Sequence, residues 1–149
     1  MGRKKYFAAL AAAGMIGAMA VGSVFNSYAA DGWTKSNDHW TYIYQGKTYT
    51  GWLETSEGKY YMDLSDGHMT TGFKQIDGKW YFFRPNGVMA QNRWANPEYG
   101  KWYYFLDDGT MVTGWLKIGN DYYFMRGDGS MGTGWRQMEG SWYYFQSQR

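Results

Sequence analysis

Rings recur on a fixed beat in this sequence: Trp52, Phe73, Trp94, Trp115 and Trp135 are separated by 21, 21, 21 and 20 residues. Seven or eight positions after each comes a second ring, at Tyr60, Trp80, Trp102, Tyr122 and Trp142, and Met69, Met89, Met111 and Met131 keep the same period. Few charges fall among them. Rings converging from neighbouring units would enclose an apolar box with electron-rich walls. Such a box suits a methylated cation, held by cation–π attraction of up to ~2 kcal/mol or more once desolvated. A polarisable thioether beside it adds a soft contact. The same rings could instead serve wholly as core, because a unit of this length with few aliphatics must pack with something.

Other chemistries find no footing. The 149 residues include no Cys and only two His, His39 and His68, so thiolate sites, zinc signatures and Ser/His pairs lack their parts. Both histidines read as ordinary surface residues. Gly127-Asp128-Gly129-Ser130-Met131-Gly132 fits a dinucleotide fingerprint by letter, yet it leads into Thr133-Gly134-Trp135 and not into a helix. Asp107 and Asp108 are adjacent turn residues that do not face one substrate bond. Glu54 and Glu57 read as solvated linker residues, the alternative being that they attract a cation near the first groove. The reading is of no catalysis, no metal and no cofactor.

The elements that must position the rings follow from two further markers. One is Gly58-Lys59-Tyr60-Tyr61-Met62, Gly78-Lys79-Trp80-Tyr81-Phe82, Gly100-Lys101-Trp102-Tyr103-Tyr104, Asn120-Asp121-Tyr122-Tyr123-Phe124 and Gly140-Ser141-Trp142-Tyr143-Tyr144. The other is a turn, at Asp66-Gly67, Asn86-Gly87, Asp108-Gly109 and Asp128-Gly129, with a Met two residues on. Aromatic runs favour strands, and Asp-Gly or Asn-Gly favours tight hairpin turns. On this reading Lys101 to Phe105 pairs with Thr110 to Thr113 around Asp107-Asp108-Gly109, and Pro85 and Pro97 lie in connections. A lone hairpin is marginal, so the units must stack. The expected fold is all-β, a solenoid of stacked β-hairpins. Along a strand, alternation puts Trp102 and Tyr104 on one face and Tyr103 and Phe105 on the other.

Residues 1–29 read as a signal peptide. Arg3, Lys4 and Lys5 precede an uncharged run, and Ser27 and Ala29 provide the small residues for cleavage after Ala29. The alternative is a retained membrane anchor, since the run is long enough to cross a bilayer. Cleavage leaves 12 basic against 13 acidic residues, a net charge of −1, and with it no basic footprint for nucleic acid. Residues 30–50 form an irregular first repeat containing Trp33 and Trp40, and 51–149 divide into repeats 51–71, 72–92, 93–113, 114–133 and 134–149.

Asp108-Gly109-Thr110-Met111-Val112-Thr113-Gly114-Trp115 and the continuation to Tyr122-Tyr123-Phe124 resemble the repeat of the choline-binding module of bacterial surface proteins and phage lysins, from Gly32 to Phe145. The resemblance implies a left-handed hairpin solenoid, secreted to the bacterial cell surface. Its partner would be the choline or phosphocholine of teichoic or lipoteichoic acid, each ligand held by two rings of one repeat and a third from the next, often with a Met. Carried over, the first groove would use Trp52, Tyr60 and Phe82, and the second Phe73, Trp80 and Tyr104. The third would use Trp94, Trp102 and Phe124, and the fourth Trp115, Tyr122 and Tyr144, with Met69, Met89, Met111 and Met131 as sulfur contacts. The third ring of each set is chosen by same-face alternation. Several positions depart from the pattern: Phe73 stands for Trp, Asn92-Arg93 for Thr-Gly, and Tyr60 and Tyr122 for the second Trp. Trp135 and Trp142 would form a groove only if the terminus or a second chain, as in a homodimer, closed it. Glucan-binding domains of glucosyltransferases and clostridial toxin repeats use similar units, so carbohydrate binding is the alternative, and a purely structural spacer is a third reading.

Overall fold

In a computed structural model describing residues 30–147, every regular element is a β-strand. The segment read as a signal peptide, 1–29, lies outside the described residues. The described chain falls into two compact units divided between Thr70 and Thr71. In the first, β1 (Gly32–Ser36), β2 (His39–Tyr44) and β3 (Lys47–Thr48) make a three-stranded antiparallel sheet, followed by the hairpin of β4 (Gly51–Thr55) and β5 (Gly58–Met62). The second contains four hairpins: β6 (Gly72–Ile76) with β7 (Lys79–Phe83), β8 (Arg93–Glu98) with β9 (Lys101–Phe105), β10 (Gly114–Ile118) with β11 (Asp121–Met125), and β12 (Gly134–Met138) with β13 (Ser141–Phe145).

The hairpin tips are not where the Asp-Gly dipeptides suggested. Lys101–Phe105 pairs with the preceding Arg93–Glu98, and it meets the segment after Asp108-Gly109 only through a single bridge, Phe105 to Met111. The Gly-Trp segments are themselves strands, and a neighbour in sequence takes up their ladder bonds, leaving the Asp-Gly turns to connect one hairpin to the next. Tips such as Asp77-Gly78, with φ of +49° and +78°, have both central residues left-handed, as a turn matched to the strand twist requires. Glu54 belongs to β4 and Glu57 to its tip, so neither is in a linker. Pro97 likewise lies inside β8, where the register shifts between Ala95 and Glu98. A bulge in a two-stranded hairpin is a place where a residue without an N–H is tolerated.

Register gives every hairpin two unlike faces. Phe73 lies opposite Phe82 and Gln75 opposite Trp80 on a front face, while Lys74 opposes Tyr81 and Gly72 opposes Phe83 on the back. Within the second unit the front of one hairpin packs on the back of the next: Phe82 stacks on Phe105 at 6.0 Å, and Phe124 lies 6.1 Å from Phe145. Phe83, Phe105 and Met125 are fully buried. Aromatic residues thus form half of the buried apolar core, with methionines such as Met125 and Met131 and aliphatics such as Ala90 and Leu116 filling the rest.

Candidate functional site

Front-to-back stacking places rings from consecutive hairpins against each other. Between β8–β9 and β10–β11, Trp94 meets Tyr123 at 5.0 Å and 66°, an edge-on contact of the favoured kind. Trp102, on the same hairpin as Trp94, packs half-buried against the cluster of Tyr104, Leu116, Met125 and Met131. The Met131 N–H donates to the Trp102 carbonyl at 2.7 Å, fixing the methionine beside that strand. Two indoles, a phenol ring and a methionine therefore belong to one packed cluster between consecutive hairpins.

The arrangement recurs. Between β6–β7 and β8–β9, Phe73 meets Tyr103 at 4.9 Å, Trp80 remains partly exposed, and the Met111 N–H donates to the Trp80 carbonyl at 2.8 Å. In the first unit, Trp33 meets Tyr60 at 4.9 Å and Trp40 at 6.4 Å, and the Met69 N–H donates to the Trp40 carbonyl at 2.7 Å. This irregular first repeat builds as full a box as its successors. A signal for it was present in Trp33, Trp40 and Met69, which keep both the order and the spacing of later repeats, although Trp33 stands 19 residues before Trp52 where later repeats have 20 or 21. Between β10–β11 and β12–β13, Trp115 meets Tyr143 at 5.2 Å, and Tyr122 and Tyr143 line an open groove of about 970 Å³.

The turns that deliver the methionines are held by their own side chains. The Asp108 carboxylate accepts from the Thr110 N–H and hydroxyl at 2.9 and 2.7 Å, and Asp128 accepts from those of Ser130 at 2.9 and 2.6 Å. The hydroxyl bonds, followed by the backbone bonds, hold both carboxyls below the ordinary range. Burial, and next the Glu98 carboxylate, push the Tyr103 phenol up, so this ring of the second box stays neutral.

Several groupings expected from the sequence are not the ones the structure brings together. Trp94 meets Tyr123, and Phe124 lies opposite Trp115 on its own hairpin at 5.8 Å. Similarly Phe73 meets Tyr103 where Tyr104 was expected; Trp115 meets Tyr143, and Tyr144, the ring expected there, lines the same groove as Trp115 and Tyr122. Tyr104 faces Trp94 at 5.2 Å, and Tyr144 faces Trp135 at 5.2 Å. Alternation along one strand assigns faces correctly, but stacked hairpins present opposite faces to each other, so the partner ring comes one residue earlier. The expected set of Trp52, Tyr60 and Phe82 draws on both compact units. Within the first, Trp52 lies opposite Tyr61, while Tyr60 lies opposite Leu53 on the other face. Lys59 occupies the place Trp80 takes in β7, because the tip Ser56-Glu57 precedes Gly58 and one ring is missing from β5.

His39 and His68 lie at the surface, as the sequence suggests, but as a pair. Their imidazoles stack in parallel at 4.3 Å, and the Asp66 carboxylate lies 3.0 Å from His68 Nδ1. Parallel rings do not aim two nitrogens at one metal ion, and no cluster of three or more His, Cys, Asp or Glu suited to a metal occurs among the described residues.

A model of the choline-binding repeat matches residues 70–111 and 98–133, and a model of a putative cell wall binding repeat matches 50–69 and 133–148. No curated protein matches the chain. Among solved structures, CbpJ from Streptococcus pneumoniae is 34% identical, with a TM-score of 0.73 over 78% of this chain and 43% of that one. Choline binding protein F from the same organism, in the presence of a peptidoglycan analogue, is 41% identical, with a TM-score of 0.72 over 79% of this chain and 39% of that one. The endolysin of phage Cp-1 complexed with choline is 34% identical, with a TM-score of 0.55 over 66% of this chain and 29% of that one. This chain therefore spans about two-fifths of the length of the first two.

Proposed function

Because this chain belongs to the choline-binding repeat family, we propose that it is a non-catalytic cell-wall-binding module whose inter-hairpin boxes hold the choline or phosphocholine of wall teichoic acids. The observation that carries the reading is the third box, where Trp94, Trp102 and Tyr123 pack around one cluster that includes Met131. A quaternary ammonium offers no hydrogen bond to satisfy and gains from ring faces shielded from water. The same argument extends to Phe73, Trp80, Tyr103 and Met111, and to Trp33, Trp40, Tyr60 and Met69. Residues 1–29, acting as a signal peptide, would deliver the module to the wall.

Avidity is the mechanism. One box holding a small cation binds on the order of millimolar, about −4 kcal/mol. Several boxes facing a polymer that repeats the ligand gain ~10² to 10⁴ by linkage. Free choline in excess competes for the boxes and releases the protein.

Intrinsic Trp fluorescence and melting temperature are the test, titrated with choline and in parallel with an isomalto-oligosaccharide. Saturation with a rising melting temperature in choline alone supports the reading, because ligand bound only to the folded state stabilises it. A response only to the oligosaccharide assigns the boxes to carbohydrate, and silence in both leaves the rings as core.

A further inference from the structure

The last inter-hairpin groove differs from the others in its charge. In each hairpin, the residue opposite the ring that completes the preceding box is its side neighbour: Ala95 beside Tyr103, Leu116 beside Tyr123, and Arg136 beside Tyr143. A guanidinium thus stands where the other boxes of this unit have an aliphatic wall. It lies 5.9 Å over the Phe124 ring, and its Nε is buried with no hydrogen-bond partner among the described residues. A buried charged donor left unpaired is costly and calls for an acceptor.

The chain makes room for this guanidinium. A Cβ on Gly132 would come within 2.8 Å of Arg136 Nε, and the matching position one repeat earlier is Val112, near Leu116. Gly132 lines the open groove, and the guanidinium, itself outside the groove's lining, lies against that glycine. The other charges are Asp121, which lines the groove, and Lys117, whose Nζ sits 5.2 Å over Tyr122. A bare cation in the groove has Asp121 on its wall and two basic side chains beside that wall, Lys117 over Tyr122 and Arg136 over Phe124. A ligand with a cationic head and an anionic phosphate can pair its head with the rings and Asp121 of the groove and its phosphate with the guanidinium beside Gly132. The planar fork of Arg matches a phosphate group geometrically.

We infer that the groove of Trp115, Tyr122 and Tyr143 is a phosphate-dependent subsite, in which Arg136 takes the phosphate ester of phosphocholine and choline alone binds poorly. This deepens the reading of the boxes and rests on it. Choline and phosphocholine therefore differ at this groove and not at the Trp94–Trp102 box.

Two-dimensional NMR of the full chain reads the sites separately through indole N–H and Arg Nε–H resonances. The probes are choline chloride, inorganic phosphate and phosphocholine. Inorganic phosphate alone is expected to shift Arg136 Nε–H and the Trp115 indole with saturation, and phosphocholine to bind there roughly tenfold or more tighter than choline. Arg136→Leu, which copies Leu116, abolishes the phosphate response and erases that preference, while Trp94 and Trp102 still respond to choline. Arg136→Lys keeps the charge without the fork and retains a weakened phosphate response, which covers the case in which the leucine variant folds poorly. A Trp115 indole that responds to choline as strongly as Trp94 does and ignores phosphate overturns the subsite, as does a phosphate response surviving in Arg136→Leu. Failure of Trp94 and Trp102 to move with choline overturns the reading of the boxes instead.

Discussion

Tyr123 and Trp94 lie 5.0 Å apart on consecutive hairpins, joined edge to face, although neither strand is hydrogen-bonded to the other. This contact fixes which ring completes the third box. Tyr123→Leu is expected to weaken choline binding at that box roughly tenfold, within the range of a desolvated cation–π wall. Phe124→Leu should leave that box within about twofold, because Phe124 belongs to the next gap. Comparing the Trp94 and Trp102 indole shifts in the two variants checks this, and equal effects would reject the assignment.

The core prediction concerns Phe105, fully buried against Phe82 and Tyr103. Phe105→Ala should cost about 3 to 5 kcal/mol, since a large ring is removed from a site closed on several sides. Denaturant unfolding without ligand measures it. A loss under about 1 kcal/mol would mean that the stack collapses around the void.

Gly109 and Gly114 separate two reasons for keeping glycine. Both have φ near +80°, so alanine at either is strained by about 1 kcal/mol. A Cβ on Gly109 would also come within 2.5 Å of the Met89 Sδ, whereas Gly114 has open space. Gly109→Ala should therefore melt lower than Gly114→Ala, and the reverse order would show that Met89 moves aside freely.

Acid should weaken the turns before it weakens the aromatic core. Asp128 has its carboxyl held below the ordinary value of 3.8, chiefly by the Ser130 hydroxyl. A depressed carboxyl stabilises the fold fully above its unfolded value, and that contribution is lost as pH falls from about 4 through the lower folded value. Melting temperature between pH 5 and pH 2 should drop less in Asp128→Asn than in the unaltered chain. Identical slopes would show that the bond carries no stability.

The sequence makes the repeat, the strands and the ring content plain, because period and alternation are local properties. It does not reveal which segment pairs with which. Asp108-Gly109 and Asp77-Gly78 look alike as dipeptides, yet one connects hairpins and the other closes one, a choice made by the Gly-Phe and Gly-Trp strands on either side. The partner ring was missed by one residue for a related reason: Tyr123 and Phe124 are both aromatic, and only face-to-back stacking selects Tyr123. Trp33 with Trp40 was visible as a pair, but Tyr60, its third wall, had been assigned to Trp52.

Unlike faces also settle how binding capacity is inherited. In the second unit, four hairpins enclose three intervals, as fence posts enclose panels, and each interval takes its walls from two different repeats. Deleting one hairpin therefore removes one panel and fuses two posts into a new pair, whereas duplicating one adds a panel copied from two neighbours. Gene-level changes of some 20 residues would alter valency in whole numbers. A point substitution in one ring can damage only the interval it borders.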